Sequence, residues 1–135
     1  MANSNNYFYF RSVTDEDADI DATNSVMVPT KNITGMEPYD AITKIRIWFE
    51  NVTAPTLAGG SFDKIPNNQS YVDLTVTRGK LKDVIAEIVS AINAGPRHDG
   101  VTVVADDVTT DYDGSTRAGV YLSNDITAVA DIVLS

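Results

Sequence analysis

Cysteine is absent from the 135 residues, which excludes disulfides, thiolate metal sites, iron–sulfur clusters and cysteine nucleophiles. Stability must come from packing, and a chain of this length buries roughly two thirds of its unfolded surface, enough for one domain over residues 1–135. Basic residues are scarce: Lys+Arg 10 against Asp+Glu 19 give a net charge of -9 and a pI near 4.3. That balance repels phosphate backbones and anionic lipid heads, so neither nucleic acid nor a membrane is expected as a direct partner. Long apolar runs are also missing. Nowhere do about 18 consecutive apolar residues occur, and the opening MANSNNYFYFRS has no basic segment ahead of an apolar one, so the chain reads as soluble and unexported. Without a secretion signal, the sequon matches at Asn32, Asn51 and Asn68 carry no weight. Histidine occurs once, as His98, with no second ligand or serine at a recognisable spacing and no G-x-S-x-G or H-E-x-x-H motif. LAGGS at 57–61 is not followed by Lys and a helix, so it fails as a phosphate loop.

What the sequence has is alternation. NYFYFRSV predicts a strand near 6–13 whose partner is SVMVPTKNI, with Pro29 confined to a strand edge, a strand end or a bulge because it has no amide donor. AITKIRIWFENV alternates Ile45, Ile47 and Phe49 with Lys44, Arg46, Trp48 and Glu50, a half-buried strand with a cationic outer face. A Pro-, Gly- and Asn-rich connection at 53–69 is longer than most loops in compact domains. YVDLTVT then sets Val72, Leu74 and Val76 against Tyr71, Asp73, Thr75 and Thr77. The period next changes: Leu81, Val84, Ile85, Ile88, Val89 and Ile92 form the apolar stripe of a helix over about 78–94, with Thr77 as N-cap and Gly95 and Pro96 as its end. VTVVADD, VYLS and ITAVADIVL close the chain as strands. About seven strands and one mid-chain helix, with most strand links too short for crossovers, predict an α+β fold: a mainly antiparallel sheet with the helix packed on one face.

Two acidic sets invite chemistry. In VTDEDADIDATNS, Asp15, Asp17, Asp19 and Asp21 fall on every second residue. The EF-hand pattern needs Gly at position 6 and Glu at position 12, but counting from Asp15 these are Ile20 and Val26. A weak, open calcium site is the functional reading and a solvated hairpin loop the structural one, to be favoured because charge runs usually face water. ADDVTTDYDG holds Asp106, Asp107, Asp111 and Asp113; Asp106 and Asp107 are adjacent on a strand and point to opposite faces, so they make no close acid/base pair unless a bulge intervenes. Turn chemistry is the expected role there, with Gly114 supplying a positive φ.

The order of the blocks NYFYFRSV, KIRIWFENV, DLTVTRGKLKDVIAEIVSAIN, VTVVADD and DITAVADIVL resembles that of small virion-associated proteins of tailed marine phages, cyanophages above all; the resemblance does not extend to 53–69. It implies no catalytic residues. It implies a β-rich structural protein that self-associates as a homo-oligomer or docks on other virion proteins, located in the virion or, before assembly, in the cytoplasm of the producing cell. Tyr7, Tyr9, Trp48 and Tyr71 are the expected interface anchors, since amphipathic aromatics dominate interface energetics. The alternatives are a small calcium- or carbohydrate-binding module using the loops at 14–24 and 106–114, and an enzyme built on a carboxylate pair. No cofactor is called for beyond that weak Ca2+ site.

Overall fold

The computed structural model describes residues 6–39, 41–50, 70–94 and 100–134. Among these the fold is α+β, with eight strands and a single α-helix: β1 (Tyr7–Arg11), β2 (Ser25–Pro29), β3 (Ile33–Pro38), β4 (Lys44–Phe49), β5 (Ser70–Val76), α1 (Leu81–Asn93), β6 (Val101–Asp106), β7 (Val120–Tyr121) and β8 (Ile126–Val133). The strands form two four-stranded sheets, ordered β2-β1-β6-β7 and β3-β4-β5-β8. Periodicity alone places about seven strands in one sheet. The eighth arises because the segment after Pro29 makes a 3-10 turn at Thr30–Asn32 and re-emerges as β3 in the second sheet. All pairings are antiparallel except β1 with β6.

Three links carry the chain between sheets. β2 passes to β3 at one edge, β7 passes to β8 at the other, and β5 passes through α1 to β6 between the interior strands. One hydrophobic cluster results. Phe8, Phe10, Val26, Val28 and Val104 come from the first sheet, Ile45, Ile47, Phe49, Val72, Leu74, Val76, Ile126, Val129 and Ile132 from the second, and Val84 and Ile88 from α1. In β1, β2, β4 and β5 these are alternate residues, as a pleated surface with one buried face requires; in β8 two register shifts set them three apart.

The helix starts later than its stripe suggests. Gly79 turns the chain at φ 84°, the Lys80 amide donates to the Thr77 carbonyl, and Lys80 stands at the N-cap without a side-chain hydrogen bond, so Thr77 is not the cap. Val84 and Ile88, one turn apart, are fully buried, whereas Val89 lies on the outer flank and is exposed. Gly95, Pro96, His98 and the 53–69 connection lie outside the described residues. No helix among the described residues is long and apolar enough to cross a membrane.

Two of the edge strands, β2 and β3, offer little to an incoming strand. The Thr30 amide donates to Asn6 and the Ser12 amide to the Asn24 carbonyl, so even-numbered residues of β2 face β1 and Ser25, Met27 and Pro29 face outward. Pro29 has no donor and the Ser25 amide is taken by the Asp21 carbonyl, which leaves Met27 as the outward donor. In β3 the Tyr39 amide donates to the Lys44 carbonyl, which turns Met36 and Pro38 outward. The edge expectation for Pro29 is therefore met, and Pro38 repeats it on the other sheet.

Candidate functional site

The outer face of the second sheet is built by cross-strand register. Arg46 on β4 lies opposite Glu37 on β3 and Asp73 on β5, and Trp48 lies opposite Gly35 and Tyr71. Directly opposed residues point the same way, so one face collects a guanidinium, carboxylates and aromatic rings. Arg46 donates through Nε to Asp73 Oδ1 at 2.8 Å and through Nη2 to Oδ2 at 3.0 Å. Its Cζ is 3.3 Å from the ring centroid of Tyr39, 3.6 Å from that of Tyr71 and 5.3 Å from that of Trp48. Two rings that close cannot share one side of a planar group, so the guanidinium is held between the tyrosines. Trp48 meets Tyr71 edge-on, with centroids 5.2 Å apart, and its indole N–H donates to Glu37 Oε2 at 2.8 Å.

This overturns the cationic outer face that alternation predicts for β4. Arg46 is only 8% exposed and Asp73 only 3%; the charge is cancelled and roofed by rings. The pairing joins residues 27 positions apart, so no local pattern announces it.

Of the four expected anchors, the structure brings Trp48 and Tyr71 together and places Tyr7 and Tyr9 elsewhere, on the outer face of the first sheet. There Tyr9 sits between Met27 and Val103, and Tyr7 between Pro29 and Val101. All four rings are half-buried and none belongs to the hydrophobic core.

A second charged assembly ties loops rather than making a face. Asp106, at the end of β6, receives Arg11 at 2.9 Å on each oxygen, Arg117 at 3.1 Å and the Val108 amide at 3.1 Å. Arg11 also reaches Glu16 and Asp19 at 3.4 Å, and Arg117 reaches Asp111 at 2.9 Å. Burial pushes the Asp106 carboxyl up, but the hydrogen bonds from Arg11, Val108 and Arg117 outweigh it and leave its pKa below the ordinary value. Asp107 points elsewhere, accepting the Tyr121 hydroxyl at 2.7 Å and the Val129 amide of β8 at 2.9 Å. Burial raises its pKa. The loop that returns to β7 passes so close that a Cβ on Gly119 would lie 2.9 Å from the Asp106 carbonyl oxygen and 2.8 Å from the Tyr121 hydroxyl. The expectation that the two carboxylates diverge is met. Turn chemistry explains only the bond to Val108 and misses both arginines.

The acidic hairpin loop does not gather its aspartates. Asp15 accepts the Asp17 amide and caps the 3-10 turn Glu16–Ala18, Asp19 pairs with Arg11 and Ser25, and Asp21 accepts from Thr23. Those hydrogen bonds from Thr23 hold the Asp21 carboxyl below its ordinary range. Among the described residues no group of three or more His, Cys, Asp or Glu is placed to hold a metal. Farther along, DYDGS forms the expected turn: the Gly114 amide donates to Asp111, the Ser115 amide to the Asp113 carboxylate, and Gly114 takes φ 85°. An open cleft of about 420 Å³ lies between α1 and Leu122, lined by Ala86, Glu87, Ser90 and Ala91, and the Glu87 carboxylate there accepts the Ser123 hydroxyl.

No protein-family model matches this chain, and no curated protein and no solved structure matches it.

Proposed function

We propose that this chain is a non-enzymatic structural protein that works by self-association or by docking on a larger particle, a phage virion being the particle that the order of its sequence blocks suggests. The observation that carries this is the outer face of the second sheet, where Tyr39, Trp48 and Tyr71 stand outside the core around a neutralised Arg46. Rigid aromatic side chains with a polar tip give contact area at little entropic cost. The contact would use faces, because Pro29 and Pro38 blunt the edges of β2 and β3 and Asp107 occupies the Val129 amide on β8. Nucleic acid and lipid stay outside the proposal on the net charge of -9.

A carbohydrate-binding module would draw on the same three rings, but Arg46 already takes one face of Tyr39 and one of Tyr71. Light scattering over a concentration series, with and without millimolar calcium and a glycan panel, tests the proposal. A discrete oligomer that forms without calcium or glycan supports it. A monomer at every concentration contradicts self-association, and saturable glycan binding by that monomer would replace it with the carbohydrate reading.

A further inference from the structure

The second sheet is polar along its strands. At one end Trp48 stands beside Gly35, its opposite number on edge strand β3. A Cβ at Gly35 would meet nothing within 4 Å, and its φ lies outside the left-handed range. Neither sterics nor backbone requires glycine there, and its effect is to leave a notch on the flank of the indole. Exposed Glu37 borders that notch and holds the indole N–H. Carboxylates prevail across this face. Arg46 cancels Asp73, and the exposed Asp131 extends the same row next to Asp73; Lys44 is the other cation, four residues from Trp48.

At the opposite end the charge reverses. β5 runs from Tyr71, beside Trp48, to Val76, a span of about 17 Å, and opens into the turn before α1. That turn and the first residues of the helix, Arg78-Gly79-Lys80-Leu81-Lys82, are exposed at all three cations. Asp83 answers Lys80 at 3.7 Å, and Asp125 stands beside the turn, where its carbonyl accepts the Thr77 amide. A cationic surplus remains, in a chain of net charge -9. By contrast Arg11, Arg46 and Arg117 are all committed to carboxylates within the fold.

From this we infer that the notch at Gly35, Glu37 and Trp48 receives the Arg78–Lys82 segment of a second copy of this chain, the turn before α1 with the helix's first residues. The inference rests on the self-association reading and names its two surfaces. A guanidinium or ammonium group of the turn pairs with Glu37 and lies against the indole, the kind of contact that Arg46 already makes with Tyr39 and Tyr71. The two surfaces sit at opposite ends of one sheet, so a chain does not satisfy its own notch with its own turn. Two copies of so acidic a protein repel one another in most orientations, and this orientation sets opposite charges together.

Charge exchange with light scattering tests the contact. Glu37→Lys lowers the net negative charge, which would strengthen any association opposed only by general repulsion; here it weakens association by about tenfold or more, since like charges then face each other. Lys82→Glu combined with Arg78→Glu weakens it similarly, and joining these changes with Glu37→Lys in one chain restores it. Mixing the notch variant with the turn variant yields a pair with one intact contact. Gly35→Leu fills the notch without altering charge and also weakens association, with an unchanged circular dichroism spectrum. Asp17→Lys, the same change of charge in the exposed loop, does not weaken it. An oligomer indifferent to Glu37→Lys and Gly35→Leu would overturn the inference and leave self-association standing through another face. A wild-type chain that stays monomeric would overturn both.

Discussion

Arg46–Asp73 and Arg11–Asp106 are the same chemical object, a guanidinium held by both oxygens of one carboxylate at 2.8 to 3.0 Å. Their surroundings give them different work. Arg11–Asp106 is a hub, joined by Arg117, Glu16, Asp19, Asp111 and the Val108 amide, and it fastens the loop between β1 and β2 to the loop between β6 and β7. Among the described residues Arg46–Asp73 has no second ion-pair partner, and it is enclosed by rings on the solvent side of a sheet. A buried pair embedded in a network is hard to remove without stranding other charges. A lone pair under aromatic rings is less a fastener than a spacer that sets the rings' positions on a face.

The largest effect expected from breaking this contrast is at the hub. Asp106→Ala strands Arg11 and Arg117 together and leaves the Val108 amide without its acceptor, so urea unfolding should show a loss of about 3–5 kcal/mol. Asp73→Ala strands a single guanidinium, which keeps its contacts with the two tyrosine rings, and should cost about 1–3 kcal/mol. The double change Arg46→Met with Asp73→Leu removes both charges and should stay within about 1 kcal/mol of the wild type. A double change as costly as Asp73→Ala alone would show that the pair contributes through more than avoided desolvation.

The pH dependence sharpens the comparison further, because Asp106 and Asp107 are neighbours shifted in opposite directions. Asp106, depressed when folded, contributes stability that is present above the unfolded carboxyl value of about 3.9 and lost as pH falls through its own lower value. Asp107, raised when folded, contributes stability that is present below about 3.9 and lost as pH rises through its higher value. The stability gap between wild type and Asp107→Asn should therefore be widest in acid and narrow toward neutrality. The gap for Asp106→Asn should run the other way, and parallel profiles for the two variants would contradict the assignment. The smallest effect belongs to the acidic loop: Asp17→Asn, at an exposed site, should move stability by no more than about 0.5 kcal/mol.

Much of the fold is legible in the chain because period 2 and period 3.6 record which residues face the core. Ile45, Ile47 and Phe49, Val72, Leu74 and Val76, and Val84 with Ile88 are all buried where alternation and helical spacing put them. What escaped is whatever depends on partners distant in sequence. β3 is masked by Gly35 and Pro38, which break alternation, and its bulge shifts the register between Ile33 and Gly35. The parallel pairing of β1 with β6 joins Tyr7 to Val101 and carries no local signal. The candidate site was half visible: Trp48 and Tyr71 stand out as aromatics on outer faces, but Arg46 reads as a solvated cation until the register sets Asp73 opposite it. Tyr39, outside any strand, joins the frame only through tertiary packing.

Trp48 is the only tryptophan, so its accessibility reports on one face alone. The most direct measurement is acrylamide quenching of its fluorescence across a concentration series, with mass followed by light scattering in the same samples. If the outer face of the second sheet is the contact surface, quenching falls as mass rises. Rising mass with unchanged quenching would place the contact elsewhere and contradict the central claim.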